Sequence, residues 1–162
     1  MSKRAQALAE RVEQGVRALA AFVEGLSEAD WRRVCAEDGR TVGVLVHHVA
    51  SAYPVEIDLI RRLASGQALA GVTWEMVDQM NARHAEEHAS CRKEEALALL
   101  RRNSALAAAA IRELGNEQLD HAAPISLNWD APLTVQYFVE EHPVGHSFHH
   151  LANIRAAIAS RA

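Results

Sequence analysis

Four histidines lie within nine positions near the C-terminus, in the stretch EEHPVGHSFHHLANI at residues 140–154. An α-helix turns about 100° per residue, so side chains four positions apart point in nearly the same direction. On a helix, His142, His146 and His150 therefore form one column. Two imidazoles at this spacing can bind a single metal ion. His149 lies to one side of the column, which makes it a less favoured ligand.

A third ligand for such an ion is available in the stretch TVGVLVHHVASAYPVEIDLI, which carries His47 and His48. His48 shares a helical stripe with Leu45 and Val55, so we expect it to point inward and His47 to point outward. A site with three histidines and an open position suits zinc, nickel or iron, and can activate a bound water or thiol. Spacing alone leaves open which histidines of the column complete it.

A second histidine pair, His84 and His88, lies in NARHAEEHAS and fits the H-x-x-E-H pattern of one class of zinc proteases. The neighbouring residues Arg83, Glu86 and Glu87 are charged, as on a helix face that contacts solvent. Because these proteases are larger mixed α/β proteins, we interpret this pair as part of a solvated surface.

Composition and charge argue against several other classes of function. The chain has 162 residues and a formal net charge of -4, with both signs scattered, so we expect no nucleic-acid partner. No apolar run approaches the roughly 20 residues that span a bilayer, so no membrane segment is predicted. Cys35 and Cys91 show neither metal-type spacing nor a disulfide framework. A cytoplasmic protein is the expectation.

The elements that position these histidines are predicted to be helical. Apolar residues recur at three- and four-residue intervals, and Ser, Thr and Gly mark helix ends. We predict one domain over 1–162, an all-α antiparallel four-helix bundle with a short extra helix, a long connection before the last helix and no strands. Pro54 and Pro143 lie inside helical pattern, and each should kink or interrupt its helix. The predicted helices are 3–24, 41–65, 74–89, 90–115 and 135 to nearly the C-terminus.

Three stretches of the chain resemble the DinB-like superfamily. LSEADWRR followed by DGRTVGVLVHHVAS is similar to the family's first helix junction and second helix. WEMVDQMNARHAEEHASCRKEEALALL looks like its middle helices, and LTVQYFVEEHPVGHSFHHLANIRAAI looks like its last helix. Together the three stretches cover most of the chain, and their order and spacing are more specific than any one of them.

The resemblance implies a four-helix bundle that binds a divalent metal through three histidines. On the matching positions the ligands are His48, His146 and His150, with zinc or nickel as the expected ion and iron or manganese as alternatives. Pro143 and Gly145 depart from the family pattern. They leave open whether His142 or His149 joins or replaces a ligand.

The function implied by the resemblance is that of a metal-dependent enzyme, with a thiol-dependent S-transferase as the first expectation and a thiol-dependent isomerase as another. Its partners would be a low-molecular-weight thiol and a small electrophile, and hydrolysis is a variant on the same site. Tyr137, His142 and His149 are the nearest acid or base candidates, but no catalytic residue is assigned. The alternative is a non-catalytic metal-binding or stress-associated protein. The resemblance also implies a homodimer, since homodimers are common in the family. The last helix has a second apolar side, with Val144, Phe148, Leu151 and Ile158, which fits a dimer and fits a centrally placed helix equally well.

Overall fold

The structure, a computed structural model, describes residues 2–160. Residues 1, 161 and 162, which the predicted domain includes, lie outside this range. No helix of the described part is long and apolar enough to cross a membrane. The elements are α1 (Lys3–Glu24), α2 (Glu28–Trp31), α3 (Val42–Ala64), α4 (Trp74–Glu87), α5 (Lys93–Arg112), α6 (Asn116–Asp120), β1 (Ala122–Ile125), β2 (Ala131–Thr134), α7 (Val135–Val139) and α8 (Gly145–Ala159).

Four long segments form the predicted all-α bundle: α1, α3, α5 and the continuous segment from α7 to α8. Both α1 and α3 pack against α5, and both also pack against α8. Helices α1 and α3 are therefore diagonal to each other, although they are consecutive long helices in the chain. Helix α4 packs mainly on α3, outside the four-helix core.

The core is aliphatic and follows the helical spacing of the sequence. The apolar stripe of α1 is buried as predicted, from Leu8 through Val12 to Val23. In α3 the buried stripe runs through Leu45 and Val49, whereas Val55 is 51% exposed. The stripe that contains His48 therefore lies at the edge of the buried face of α3 rather than at its centre.

Pro143 interrupts the last helix, as predicted, and does so through a π-helical turn at Glu140–Val144 between α7 and α8. Proline has no N–H to donate, so the α-helical hydrogen-bond pattern cannot continue through it. The Gly145 N–H instead donates to the Glu140 carbonyl, five residues back. A Cβ at Gly145 would lie 3.3 Å from that oxygen, so glycine gives the widened turn its room. The turn takes His142 out of regular α-helical spacing with His146.

Pro54 does not break α3, which runs without interruption from Val42 to Ala64. A proline removes the hydrogen bond to the carbonyl four residues earlier, here that of Ala50. The Asn103 side chain on α5 donates to this carbonyl from Nδ2 at 2.8 Å. Asn103 is itself buried, so its amide replaces the missing backbone donor inside the α3–α5 interface.

The connection before the last helix contains a β-hairpin, so the prediction of no strands was wrong. Strands β1 and β2 pair antiparallel, from Ala122 opposite Thr134 to Ile125 opposite Ala131. Each strand has only four residues and contains a proline, which hides the alternation that marks a strand. The hairpin also binds the loop before α4, since Leu69 N–H donates to the Pro124 carbonyl at 2.9 Å.

The second apolar side of the last helix is largely used inside the bundle. Leu151 is buried, Val144 and Ile158 pack against the core, and Phe148 remains partly exposed. A Cβ at Gly15 would lie 3.0 Å from the Phe148 ring, so α1 and α8 approach closely here. Homodimerisation stays a prediction.

Candidate metal centre

The structure brings His48, His146 and His150 together. Each offers one ring nitrogen, and the three nitrogens lie within 4.8 Å of one another. The Nε2 atoms of His48 and His146 are 3.1 Å apart. Two nitrogen ligands of a tetrahedral zinc ion, each about 2.0–2.1 Å from the metal, are separated by about 3.3 Å. The spacing of this pair is thus close to what one shared ion requires.

Two helices supply this triad, and their packing fixes it. Thr41 caps the N-terminus of α3, with its Oγ1 accepting from the Val44 N–H at 3.3 Å, a contact worth about 1 kcal/mol. Further along, Tyr53 Oη and Ser147 Oγ share a hydrogen bond of 2.8 Å, and both residues are buried. This bond joins α3 to α8 one position after His146, so it sets the relative height of the two helices at the site.

Glu56 orients one of the three imidazoles. His146 donates from Nδ1 to Glu56 Oε1 at 2.8 Å, which leaves Nε2 facing His48. Glu56 is only 6% exposed. A carboxylate that accepts from the far nitrogen of a ligand histidine fixes its tautomer and raises its basicity. Sequence reasoning missed Glu56; the available signal was an acidic residue two helical turns after His48 in a largely apolar helix.

The electrostatic environment keeps two of the imidazoles neutral. Burial, followed by the proximity of His146, lowers the pKa of His48 and of His150 to about 2. Neutral imidazole is the form that binds metals, since a proton on the ligand nitrogen competes with the ion. The three-nitrogen donor set, its spacing and the neutral state of His48 and His150 therefore fit a borderline divalent ion such as zinc or nickel.

His150 also belongs to a second, overlapping group with Asp38 and His149, whose ligand atoms likewise lie within 4.8 Å of one another. Asp38 Oδ2 is 3.6 Å from His150 Nδ1. Arg40 donates to Asp38 from Nε at 2.7 Å and contacts it from Nη2 at 2.5 Å. His149 is exposed, whereas His48 and His146 are at least partly buried. The group with His48 is therefore the better enclosed of the two.

The other residues singled out from the sequence lie apart from this triad. His142 lies on the π turn, where its ring packs against Phe138 with centroids 4.3 Å apart and burial lowers its pKa. It joins no candidate metal group of residues 2–160. Tyr137 is exposed, and Trp129 is 91% exposed in a left-handed turn.

Two pockets each have one lining residue that contacts a histidine of the triad, although no histidine of the triad lines either pocket. An apolar pocket of about 170 Å³ is lined by Glu56, which contacts His146, and mainly by apolar side chains, including Trp74 and Phe138. A polar pocket of about 440 Å³ lies between α4 and the loop before α3, and its lining includes Asp38, which is 3.6 Å from His150.

The cysteines play no part in these groups. Cys35 is buried, and burial raises the pKa of its thiol to about 11. Cys91 is half-buried, and burial raises the pKa of its thiol as well. In the described part of the chain, neither residue joins a candidate metal group. Both thiols are protonated at neutral pH, which agrees with the absence of metal-type spacing in the sequence.

A second triad contradicts the interpretation of His47 as an outward residue and of His84 and His88 as a solvated surface. All three are half-buried, and their ring nitrogens lie within 4.8 Å of one another. On α3 taken alone, the face opposite the core would meet solvent. In the fold, α4 covers this face at His47, so residues that look exposed on each helix alone meet at a helix–helix contact.

The fold resembles several solved structures. YfiT from Bacillus subtilis, described as a probable metal-dependent hydrolase with an unusual four-helix bundle topology, superposes with a TM-score of 0.79 at 18% identity, covering 99% of this chain and 89% of its own. A protein from Streptococcus pneumoniae superposes with a TM-score of 0.76 at 15% sequence identity, and the superposition covers 100% of this chain and 94% of that protein. An uncharacterized protein from Clostridium difficile 630 superposes with a TM-score of 0.75 at 14% sequence identity, and the superposition covers 100% of this chain and 99% of that protein. These likenesses show a shared fold.

Comparison with curated protein sequences finds no match. A family model does match, and it spans residues 11–154, from the middle of α1 to the middle of α8, so both triads lie inside the matched region. This match covers most of the sequence. The chain belongs to the DinB superfamily.

Proposed function

We propose that this protein is a divalent-metal-dependent enzyme whose ion is held by His48, His146 and His150. The observation that carries the proposal is the convergence of three imidazoles from α3 and α8, two of them neutral through burial and the third oriented by Glu56. Zinc or nickel is the proposed ion, with iron or manganese as alternatives, because imidazole ligands suit these metals.

When bound, the ion lowers the pKa of a thiol or water ligand and so supplies a nucleophile near neutral pH. The protein's own contribution is to hold the ligands in place. By accepting the hydrogen bond from His146 Nδ1, Glu56 holds the proton of this imidazole on Nδ1 and leaves Nε2 unprotonated for the ion. The Tyr53–Ser147 hydrogen bond holds α3 and α8 together, so the ligands do not have to be assembled when the ion binds.

The activity we propose is thiol S-transfer. A low-molecular-weight thiol attacks a carbon of a small electrophile, an S–C bond forms, the leaving group departs with its electron pair, and the thiol proton passes to solvent. The apolar pocket beside Glu56 suits the carbon skeleton of the electrophile.

A second candidate is metal-dependent hydrolysis, in which water replaces the thiol. The observation that favours it is the similarity in fold to YfiT, which is described as a probable metal-dependent hydrolase. The same ligands and the same role for Glu56 serve both reactions. The two candidates therefore differ in the nucleophile and not in the residues that hold the ion.

The first test is the metal content of tag-free protein by plasma mass spectrometry, after loading with zinc or nickel and removal of loosely bound ions. We expect His48→Ala and His150→Ala each to lose one equivalent relative to the wild type. His121→Ala is the matched control, because His121 contacts the Ala64 carbonyl and lies outside the histidine groups described above. Unchanged metal content in both ligand variants would rule out the assignment.

The second test compares nucleophiles on the loaded enzyme. A bimane electrophile is incubated with a panel of low-molecular-weight thiols, and an activated ester is incubated without thiol. Thiol-dependent bimane transfer that is lost in His150→Ala supports the S-transferase. Ester cleavage without thiol that is lost in the same variant supports the hydrolase, and bound metal with neither activity supports a non-catalytic metal-binding protein.

A further inference from the structure

The second histidine triad has a geometry that the first triad and the proposed activity do not use. His47 Nδ1 and His84 Nε2 are 2.9 Å apart. The His47 and His88 rings stack with centroids 3.8 Å apart, and those of His84 and His88 are 4.6 Å apart. One ring nitrogen from each of the three lies within 4.8 Å of the other two. The ring nitrogens of the first triad lie within the same 4.8 Å limit.

The second triad also repeats the construction of the first. Each takes one histidine from α3 and a pair spaced four residues apart from another segment, which is α8 for the first triad and α4 with its C-cap for the second. His47 and His48 are consecutive on α3, so their side chains diverge by about 100° around the helix axis. One therefore faces α8 and the other faces α4, and each completes a separate group of three.

Hydrogen bonds within the cluster leave one of its buried polar atoms unsatisfied. No side chain of α4 is fully buried, so these rings form much of its contact with α3. Within the described residues, the His84 Nδ1 atom is buried and has no hydrogen-bond partner. A contact built for packing alone would use apolar side chains, because burying an unpaired polar atom costs free energy.

We propose that His47, His84 and His88 form a second divalent-metal site, independent of the first. Three imidazoles without a carboxylate select borderline ions such as Zn²⁺, Ni²⁺, Co²⁺ or Cu²⁺ over Mg²⁺ or Ca²⁺. The His84 ring lies 5.7 Å from the His48 ring between centroids, so the two sites are neighbours that share no ligand. The second ion would join α4 to α3 and place a second positive charge beside the first site.

The test is a titration of metal-free protein with Zn²⁺ in competition with a chromophoric chelator, which counts tight sites and gives their affinities. We expect two equivalents in the wild type and one equivalent in each of His84→Ala and His88→Ala. The matched control is Gln79→Ala, on the exposed side of the same helix, which should keep two. Unfolding curves without metal confirm that each variant folds.

Variants of the first site separate the two proposals. His150→Ala should bind one equivalent of Zn²⁺, and the double variant His88→Ala/His150→Ala should bind none. His88→Ala alone should keep the one equivalent that depends on His150. A wild type that takes up a single equivalent lost in His150→Ala would overturn the second site and leave the first intact. A second equivalent that persists in both His84→Ala and His88→Ala would also overturn it. As an independent readout, Co²⁺ should give visible absorption bands in His150→Ala that disappear with His88→Ala.

Discussion

At the scale of single residues, Glu56 decides how well the first triad is prepared for an ion. Its Oε1 accepts from His146 Nδ1, and within residues 2–160 its Oε2 is buried without a hydrogen-bond partner. Burying a carboxylate costs folding free energy, and the contact with the His146 imidazole offsets this cost. We therefore expect the loss of Glu56 to lower the metal affinity of the first triad and not only the stability of the fold.

We predict that Glu56→Gln weakens Zn²⁺ binding at the first site by about 10–100-fold, the usual cost of losing a residue that orients a metal ligand. Glutamine keeps the size of the side chain but not the negative charge that strengthens the His146 ligand. The measurement is chelator competition in the His88→Ala background, where only the first site remains. Asp58→Asn, an exposed acidic residue on the same helix, is the control and should leave the affinity unchanged. Equal affinities for Glu56→Gln and wild type would show that the carboxylate has no such role.

The candidate ligands of the first triad could be found from patterns on single helices, whereas the choice of His146 and His150 from the column came from the family resemblance, and their binding of a metal stays a prediction. A column spaced by four residues on the last helix, and a histidine beside apolar residues on α3, can be seen in one segment at a time. Glu56 and the partners of His47 could not be found this way. Their roles depend on which helices become neighbours, and neighbours in this bundle are not consecutive in sequence.

At the scale of elements, α3 contains a proline and still continues without interruption because α5 supplies the missing hydrogen-bond donor. The prediction that Pro54 could interrupt the helix rested on α3 alone. Asn103 changes the result by donating to the Ala50 carbonyl. At Pro143 the sequence predicted an interruption correctly, but not that it would take the form of a π turn that moves His142 away from the triad.

We predict that Asn103→Ala destabilises the protein by about 1–3 kcal/mol, because it leaves a buried carbonyl without a donor. In a Pro54→Ala background the loss should be smaller by about 1 kcal/mol, since the restored N–H of residue 54 can donate to Ala50. Urea unfolding of the four proteins in this double-mutant cycle gives both values. Leu106→Ala, an exposed position on the same helix, is the control and should have little effect. Equal losses in the two backgrounds would show that Asn103 does not substitute for the missing backbone donor.

At the scale of the whole molecule, the four bundle segments and α4 are held by different forces. Helices α1, α3 and α5 bury whole apolar stripes, whereas α4 has no fully buried side chain and rests on α3. Local stability follows buried apolar contact, so α4 should open independently of the bundle. The second triad lies at the contact between α4 and α3, and it is the part of the molecule where a bound ion would change local stability most.

We predict that, without metal, the amides of α4 exchange with solvent deuterium faster than those of α1, α3 and α5. Zn²⁺ at about 100 times its dissociation constant stabilises the closed form by about 2.7 kcal/mol, so exchange in α4 should slow by about 100-fold. Hydrogen-exchange mass spectrometry of wild type, His88→Ala and His150→Ala measures this segment by segment. His88→Ala should lose the slowing in α4 and keep any slowing near α8, and His150→Ala should show the reverse. If α4 is as protected as α5 without metal, then its packing on α3 is stronger than its exposed side chains indicate. If zinc slows α8 alone, the ion binds the first triad and the histidines of α4 serve only as a hydrogen-bonded contact between two helices.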